Sequence, residues 1–196
     1  MRMRFFFLLP LLALAACAGP AAPPDNYYRI EPAAAPRLAK PVLTGALEVD
    51  RLAADGALTE RAIAFSAKDG GPLAHYKYDY WSEPPALMIQ DRLAAFLTKA
   101  GAADRVVTPD LRVLADWSLR GKVRRFEQLA DRSMVSIEIQ LSVVSARDGT
   151  LVLLETYDAQ TPTDSDTVTT VAAAMEKGVS DIFARFLADL TRARLK

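Results

Sequence analysis

The sequence has 196 residues, 51% of them apolar, and its 24 lysines and arginines are matched by 24 aspartates and glutamates. That apolar fraction is too high for a disordered chain, the length suits one domain, and neutrality argues against a nucleic-acid partner, whose phosphates demand an excess of cations. One Cys and one His exclude a disulfide framework and any metal site built from those ligands.

Arg2 and Arg4 precede an apolar run over 5–16. A run this short cannot cross a hydrocarbon layer of ~30 Å, which needs about 20 helical residues, so residues 1–16 read as a signal peptide. It closes on Leu14-Ala15-Ala16-Cys17. Small residues suit a signal-peptidase cleft, and a lone Cys directly after them resembles a lipobox. The alternatives are a plain signal peptide or a core cysteine. The expected mature N-terminus is Cys17, N-acylated and carrying diacylglycerol on its sulfur, with no other cofactor. Several acyl chains, at ~0.8 kcal/mol per buried CH₂, anchor stably. Ala18 follows, not Asp; this favours sorting to the outer membrane, facing the periplasm.

Residues 17–41 form a Pro/Ala-rich tether interrupted by a short strand at Tyr27-Tyr28-Arg29-Ile30. The stretch 18–26 reaches on the order of 30 Å when extended. From 42 to 196 the pattern is that of one periplasmic domain. Leu43, Leu47 and Val49 fit a strand running into Leu52. Two further strands, 61–66 and 72–81, flank Asp69-Gly70-Gly71, a hairpin turn. Strict alternation would put Tyr76, Tyr78 and Tyr80 on one face of the second arm and His75, Lys77, Asp79 and Trp81 on the other.

Ser82-Glu83-Pro84-Pro85 starts a helix whose apolar stripe is Ile89, Leu93, Phe96, Leu97 and Ala100, with Gln90, Asp91, Arg92 and Lys99 outward and Gly101 as its stop. A period of two then runs over 111–124. Leu111, Val113, Ala115, Trp117, Leu119, Gly121 and Val123 share the apolar face; Arg112, Leu114, Asp116, Ser118, Arg120, Lys122 and Arg124 share the wet one. The alternation slips at Arg125-Phe126, where a bulge would return Phe126 to the core. A strand over 135–143 turns at Arg147-Asp148-Gly149-Thr150 into another over 151–157. Thr163, Asp164, Ser165 and Asp166 offer N-caps to a final helix with the stripe Val168, Val171, Met175, Val179, Ile182, Phe183, Phe186 and Leu190, in which Gly178 is a weak point. The expected fold is α+β: an antiparallel β-sheet meander with two amphipathic helices packed on one face. Trp117, Val123, Ile137, Ile139, Phe96, Phe183 and Phe186 are expected to meet between the layers.

Catalytic chemistry is missing. There is no phosphate-binding loop, nucleophile elbow or CxxC pair, His75 lies in a strand of aromatic and charged neighbours, and Asp164 and Asp166 suit a helix start better than a metal. The protein reads as a non-enzyme.

Tyr27 to Ile30 soon after the Cys, Trp81-Ser82-Glu83-Pro84 before a helix, and Gly121, Val123, Phe126 and Glu127 at a strand end resemble, in order and spacing, the ABC-type transport auxiliary lipoprotein family (the PqiC/YmbA type). Ile30 stands where that family usually has Leu. The resemblance implies an auxiliary component of an MCE-type system moving phospholipid or related lipids between inner and outer membranes, with an MCE-domain protein, a permease and an ATPase as separate chains, and it leaves homo-oligomers open. Two other readings are a lipid-binding periplasmic carrier and an assembly or pilot lipoprotein of another outer-membrane machine. Candidate partner-binding residues are Tyr27, Tyr28, Tyr76, Tyr78, Tyr80, Arg120, Lys122 and Arg124. Each also has a plain reading, as edge-strand packing for the tyrosines and a solvated sheet face for the cations.

Overall fold

The computed structural model describes residues 22–194, so the signal peptide and Cys17 lie outside the described residues. In chain order the strands are β1 (Asn26–Tyr28), β2 (Leu43–Val49), β3 (Ala53–Ala54), β4 (Ala62–Ser66), β5 (Leu73–Trp81), β6 (Ala103–Val107), β7 (Trp117–Leu129), β8 (Met134–Ser145) and β9 (Leu151–Pro162). Helix α1 (Pro85–Ala100) joins β5 to β6, and α2 (Val168–Arg194) follows β9.

The α+β class holds, and the meander is its C-terminal half. β7 pairs antiparallel with β8, and β8 with β9, in long registers. The expected bulge is present: Val123 pairs with Ile139 and Arg125 with Glu138, which leaves Arg124 extra and Phe126 buried. The remaining strands make the sheet mixed. β2 and β4 join β7 in parallel, β6 joins β2 in parallel, and β1 joins β5 in parallel. Alternation identifies strands but not their neighbours; α1 and the connection 108–116 supply the crossovers that parallel pairing needs.

Proline sets the start of α1: Pro84 is its cap, Pro85 its first residue, and Gly101 ends it at φ 67°. Phe96 of α1 meets Phe183 of α2, ring centroids 5.4 Å apart, and Phe186 meets Tyr157 of β9 edge-on at 6.1 Å. Both helices therefore cover one face. Val123, Ile137, Ile139, Phe96, Phe183 and Phe186 are buried in one cluster, while Trp117 is half-buried at its margin, its Nε1 donating to the Thr44 carbonyl at 2.9 Å.

The structure corrects five expectations. Residues 111–116 are not strand: Pro109 opens a short 3-10 turn over 109–111, Arg112 takes φ 52°, and Leu111 and Val113 are exposed. The strand β6 went unread, being short and carrying Asp104 and Arg105. Gln90 is buried, its Nε2 donating to the Val49 carbonyl at 3.0 Å. The amide of Thr170 donates to Thr167 Oγ1 at 3.4 Å, so the residue directly before α2 caps it, not 163–166. Finally, the Pro/Ala stretch after Ile30 is laid across both helices. The Glu31 N–H donates to Glu176 Oε2, that of Ala33 to Ser180 Oγ, and that of Leu38 to the Ala100 carbonyl, each at 2.9 Å. Ile30, 1% exposed, is its buried end.

Candidate partner-binding surfaces

The tyrosines divide into separate environments. β1 is an edge strand beside β5, with Asn26 against Asp79, Tyr27 against Tyr80 and Tyr28 against Trp81. The rings of Tyr27 and Tyr80 stack at 5.8 Å, and the Arg61 guanidinium lies 5.6 Å from the Tyr27 centroid. The Tyr28 hydroxyl donates to Asp79 Oδ1 at 3.2 Å, which also accepts from Asn26 Nδ2 at 3.0 Å. Tyr27 stays 56% exposed. Tyr78 lies beneath the Lys77 ammonium, 5.1 Å from the ring centroid.

Tyr76 has a different setting. Its ring packs against Phe65 at 5.0 Å, and its hydroxyl bonds to Gln128 Oε1. Burial and then the charges of Asp166 and Asp79 push its phenol above the ordinary range. The three β5 tyrosines do not keep a common face. Ala62 pairs with Tyr80 and Ala64 with His75, so a wide bulge interrupts the strand. Tyr76 and Trp81, an odd number of residues apart, both pack toward the core, which a regular strand forbids.

The basic stripe lies on β7, and each of its three cations has an acid beside it. Arg120 Nε is 3.2 Å from Asp50 Oδ2, Lys122 pairs with Asp55, and Arg124 Nε is 3.9 Å from Glu138 Oε1. The acids come from loops after β2 and β3 and from β8, which period counting along β7 could not bring into view. Paired and exposed ions of this kind contribute little stability and weaken the long-range field an unpaired stripe would project.

Sequence reasoning missed the loop 108–116. Its end is fixed by Asp116, whose Oδ2 accepts from the Ala46 N–H at 3.0 Å and whose Oδ1 meets Arg147 Nη2 at 2.9 Å. Those two contacts hold the Asp116 carboxyl below the usual range. The pinning leaves Leu111, Val113 and Leu114 on the outside. The signal was Pro109-Asp110, a turn dipeptide at the head of the supposed strand.

His75 is exposed on β5, and among the described residues no three of His, Cys, Asp and Glu gather as a metal would need. No described helix is long and apolar enough to cross a membrane.

The family model for the ABC-type transport auxiliary lipoprotein component matches residues 28–186. No curated protein matches the chain. Among solved structures, it is similar to a Xanthomonas campestris protein of family DUF330, at 22% identity and TM-score 0.75, over 86% of this chain and 96% of that one. A second crystal structure, of an uncharacterized protein, matches at 16% identity and TM-score 0.63, over 87% of this chain and 98% of the other. These likenesses, at such low identity, concern the fold.

Proposed function

The chain belongs to the ABC-type transport auxiliary lipoprotein family, and on that premise we propose that it is a non-enzymatic adaptor, held by lipid on Cys17 at the outer membrane and facing the periplasm, that docks the MCE-domain protein of a system moving phospholipid or related lipids between the membranes. The family match over residues 28–186 carries this reading. Adaptor is favoured over carrier because the layer between sheet and helices is occupied by side chains: Phe96, Tyr157, Phe183 and Phe186 are 0–6% exposed, with Phe96 against Phe183 between the helices and Tyr157 against Phe186 between sheet and helix. An acyl chain entering there would have to displace aromatic rings, each worth several kcal/mol of packing. With no phosphate-binding loop in the sequence, the energy for transport comes from a separate ATPase chain.

The test is co-purification of the full-length lipidated chain, extracted from its own membranes in mild detergent. An MCE-domain protein should accompany it, with permease and ATPase in sub-stoichiometric amount. Bound lipid in the absence of any transport-system chain would replace the adaptor with the carrier.

A further inference from the structure

Five large apolar side chains lie uncovered on two segments that are joined at the Trp117 end of the sheet. Leu111, Val113 and Leu114 in the loop are 62%, 40% and 97% exposed, and Leu151 and Leu154 at the start of β9 are 55% and 50% exposed. The loop is tied to the β8–β9 turn, since the Ala146 N–H donates to the Asp116 carbonyl at 2.8 Å and Arg147 pairs with the Asp116 carboxylate. Those bonds hold the loop's C-terminal end beside the turn from which β9 starts. Nearby, Arg51 and Arg147 have the acids Asp110 and Asp116, whereas Arg112, held at φ 52°, has no ion pair among the described residues.

The registers place this region away from where the tether leaves. Trp117 pairs with Leu47 and Ser145 at one end of β7, and Gln128 pairs with Phe65 at the other. β5 descends from Leu73 beside Ser66 to Tyr80 beside Ala62, and β1 runs parallel to it with Asn26 at Asp79. Residues before Asn26 therefore depart toward the Leu129 end. Some eight strand positions at ~3.3 Å put about 25 Å between that point and Trp117, and the free tether extends a similar distance. For Leu114 to touch its own bilayer the whole tether would be spent running back along the domain. Two copies anchored in one bilayer would point this end the same way, so they could not meet tip to tip.

We propose that the loop 111–114 with Leu151 and Leu154 is the docking surface for a protein arriving from the far side of the periplasm, one that presents apolar side chains and a carboxylate opposite Arg112. The proposal rests on the adaptor reading and gives it a location. Apolar side chains with few charges among them and one arginine beside them suit the core of an interface, where charged residues are depleted and arginine is enriched.

The test uses the full-length lipidated chain in its native membrane. Photoreactive residues at Leu114 and Leu151 should crosslink to an identified chain of the transport system; at Leu73, near the opposite end, they should not. Adducts from Leu114 and Leu151 with lipid or with a second copy alone, or no adduct, would overturn the proposal. The pair Leu114→Asp and Leu151→Asp should reduce co-purified transport chain about tenfold, because a buried unpaired carboxylate costs more than the lost contact, while Leu114→Met and Leu73→Asp keep full yield. Both mutated leucines are exposed, so the melting temperature should not move. Wild type and double variant capturing the same transport chain equally would sink this surface and leave the adaptor reading standing; a wild type that captures none would sink both.

Discussion

Gly178 of α2 packs directly over Ile137 of β8: a Cβ built at position 178 would stand 2.8 Å from Ile137 Cδ1, 3.2 Å from Thr161 Oγ1 and 3.4 Å from the Ala159 Cβ. The missing side chain is what lets the helix lie down on β8 and β9. In an exposed helix Gly→Ala gains about 1 kcal/mol of propensity. Here overpacking against a side chain only 1% exposed should outweigh it, so Gly178→Ala is expected to lose about 1 kcal/mol in urea unfolding. A gain in stability would mean that the Ile137 δ-methyl swings aside or that α2 stands off the sheet.

That position shows where the sequence was legible and where it was not. The stripe from Val171 to Leu190 identified the helix and its buried face, and Asp69-Gly70-Gly71 and Pro84-Pro85 marked a hairpin and a helix start, because those signals are local. Gly178 read only as a weak point, since its reason lies 41 residues away in Ile137. Gln90 read as outward because its partner is a carbonyl on β2. The cations of β7 read as a stripe because Asp50, Asp55 and Glu138 come from other elements. For the partner surface, the tyrosines were visible as residues, but the β5 bulge that separates Tyr76 from Tyr80 depends on register, which a single strand does not encode.

Gln90 supplies the second prediction. Its Nε2 donates to the Val49 carbonyl, while its buried Oε1 has no partner. Gln90→Glu removes the donor and places a carboxylate against a carbonyl, which should cost about 2–4 kcal/mol at pH 7. Burial raises a carboxyl's folded pKa, so the variant's stability is fullest below the unfolded value of about 4.3 and falls as pH rises. Unfolding at pH 4 and pH 7 should show the deficit growing with pH; a constant deficit would place residue 90 in contact with solvent.

Tyr157 gives an alkaline counterpart. Its hydroxyl donates to Asp189 Oδ2 at 3.1 Å, and burial, then the Asp189 charge, push the phenol well above the ordinary range. A raised pKa contributes stability that is complete below the unfolded value of about 10 and is lost as pH climbs past it. Tyr157→Phe should therefore cost about 1–2 kcal/mol at neutral pH, through the lost bond to a charged acceptor. The gap to wild type should begin to close as pH climbs above about 10 and go on closing toward the raised folded value. Parallel pH profiles for the two proteins would count against the Asp189 bond.

Anchoring can be tested at the one cysteine. Cys17→Ser removes the thiol that would carry the lipid, and the chain should then leave the membrane fraction or accumulate as an uncleaved precursor. The wild type should fractionate with the outer membrane. Unchanged membrane attachment in the variant would require a second anchor.

The segment across the helices can be loosened without touching the core. Ser180 Oγ accepts from the Ala33 N–H at 2.9 Å and donates to the Glu176 carbonyl at 2.8 Å, Glu176 Oε2 accepts from the Glu31 N–H, and Arg92 Nη2 meets Glu31 Oε1 at 2.8 Å. Farther along, Val42 and Leu43 both donate to the Ala102 carbonyl at 3.0 Å, so that end stays fixed. The pair Glu176→Ala and Ser180→Ala should cost about 2 kcal/mol, one hydrogen bond each, and should speed tryptic cleavage after Arg37 several-fold while the sheet and helices keep their melting transition within a few degrees. Release of residues 31–37 loosens a loop between β1 with the buried Ile30 and the fixed Val42, so the free chain before β1 keeps its reach of roughly 25 Å. An adaptor that must stand clear of its own bilayer tolerates that loosening but not a loss of reach. Deletion of residues 19–24, which precede β1, should therefore leave folding intact and abolish complementation, whereas the loosened variant should complement normally. Equal complementation by both would show that the distance between domain and membrane has no part in its function.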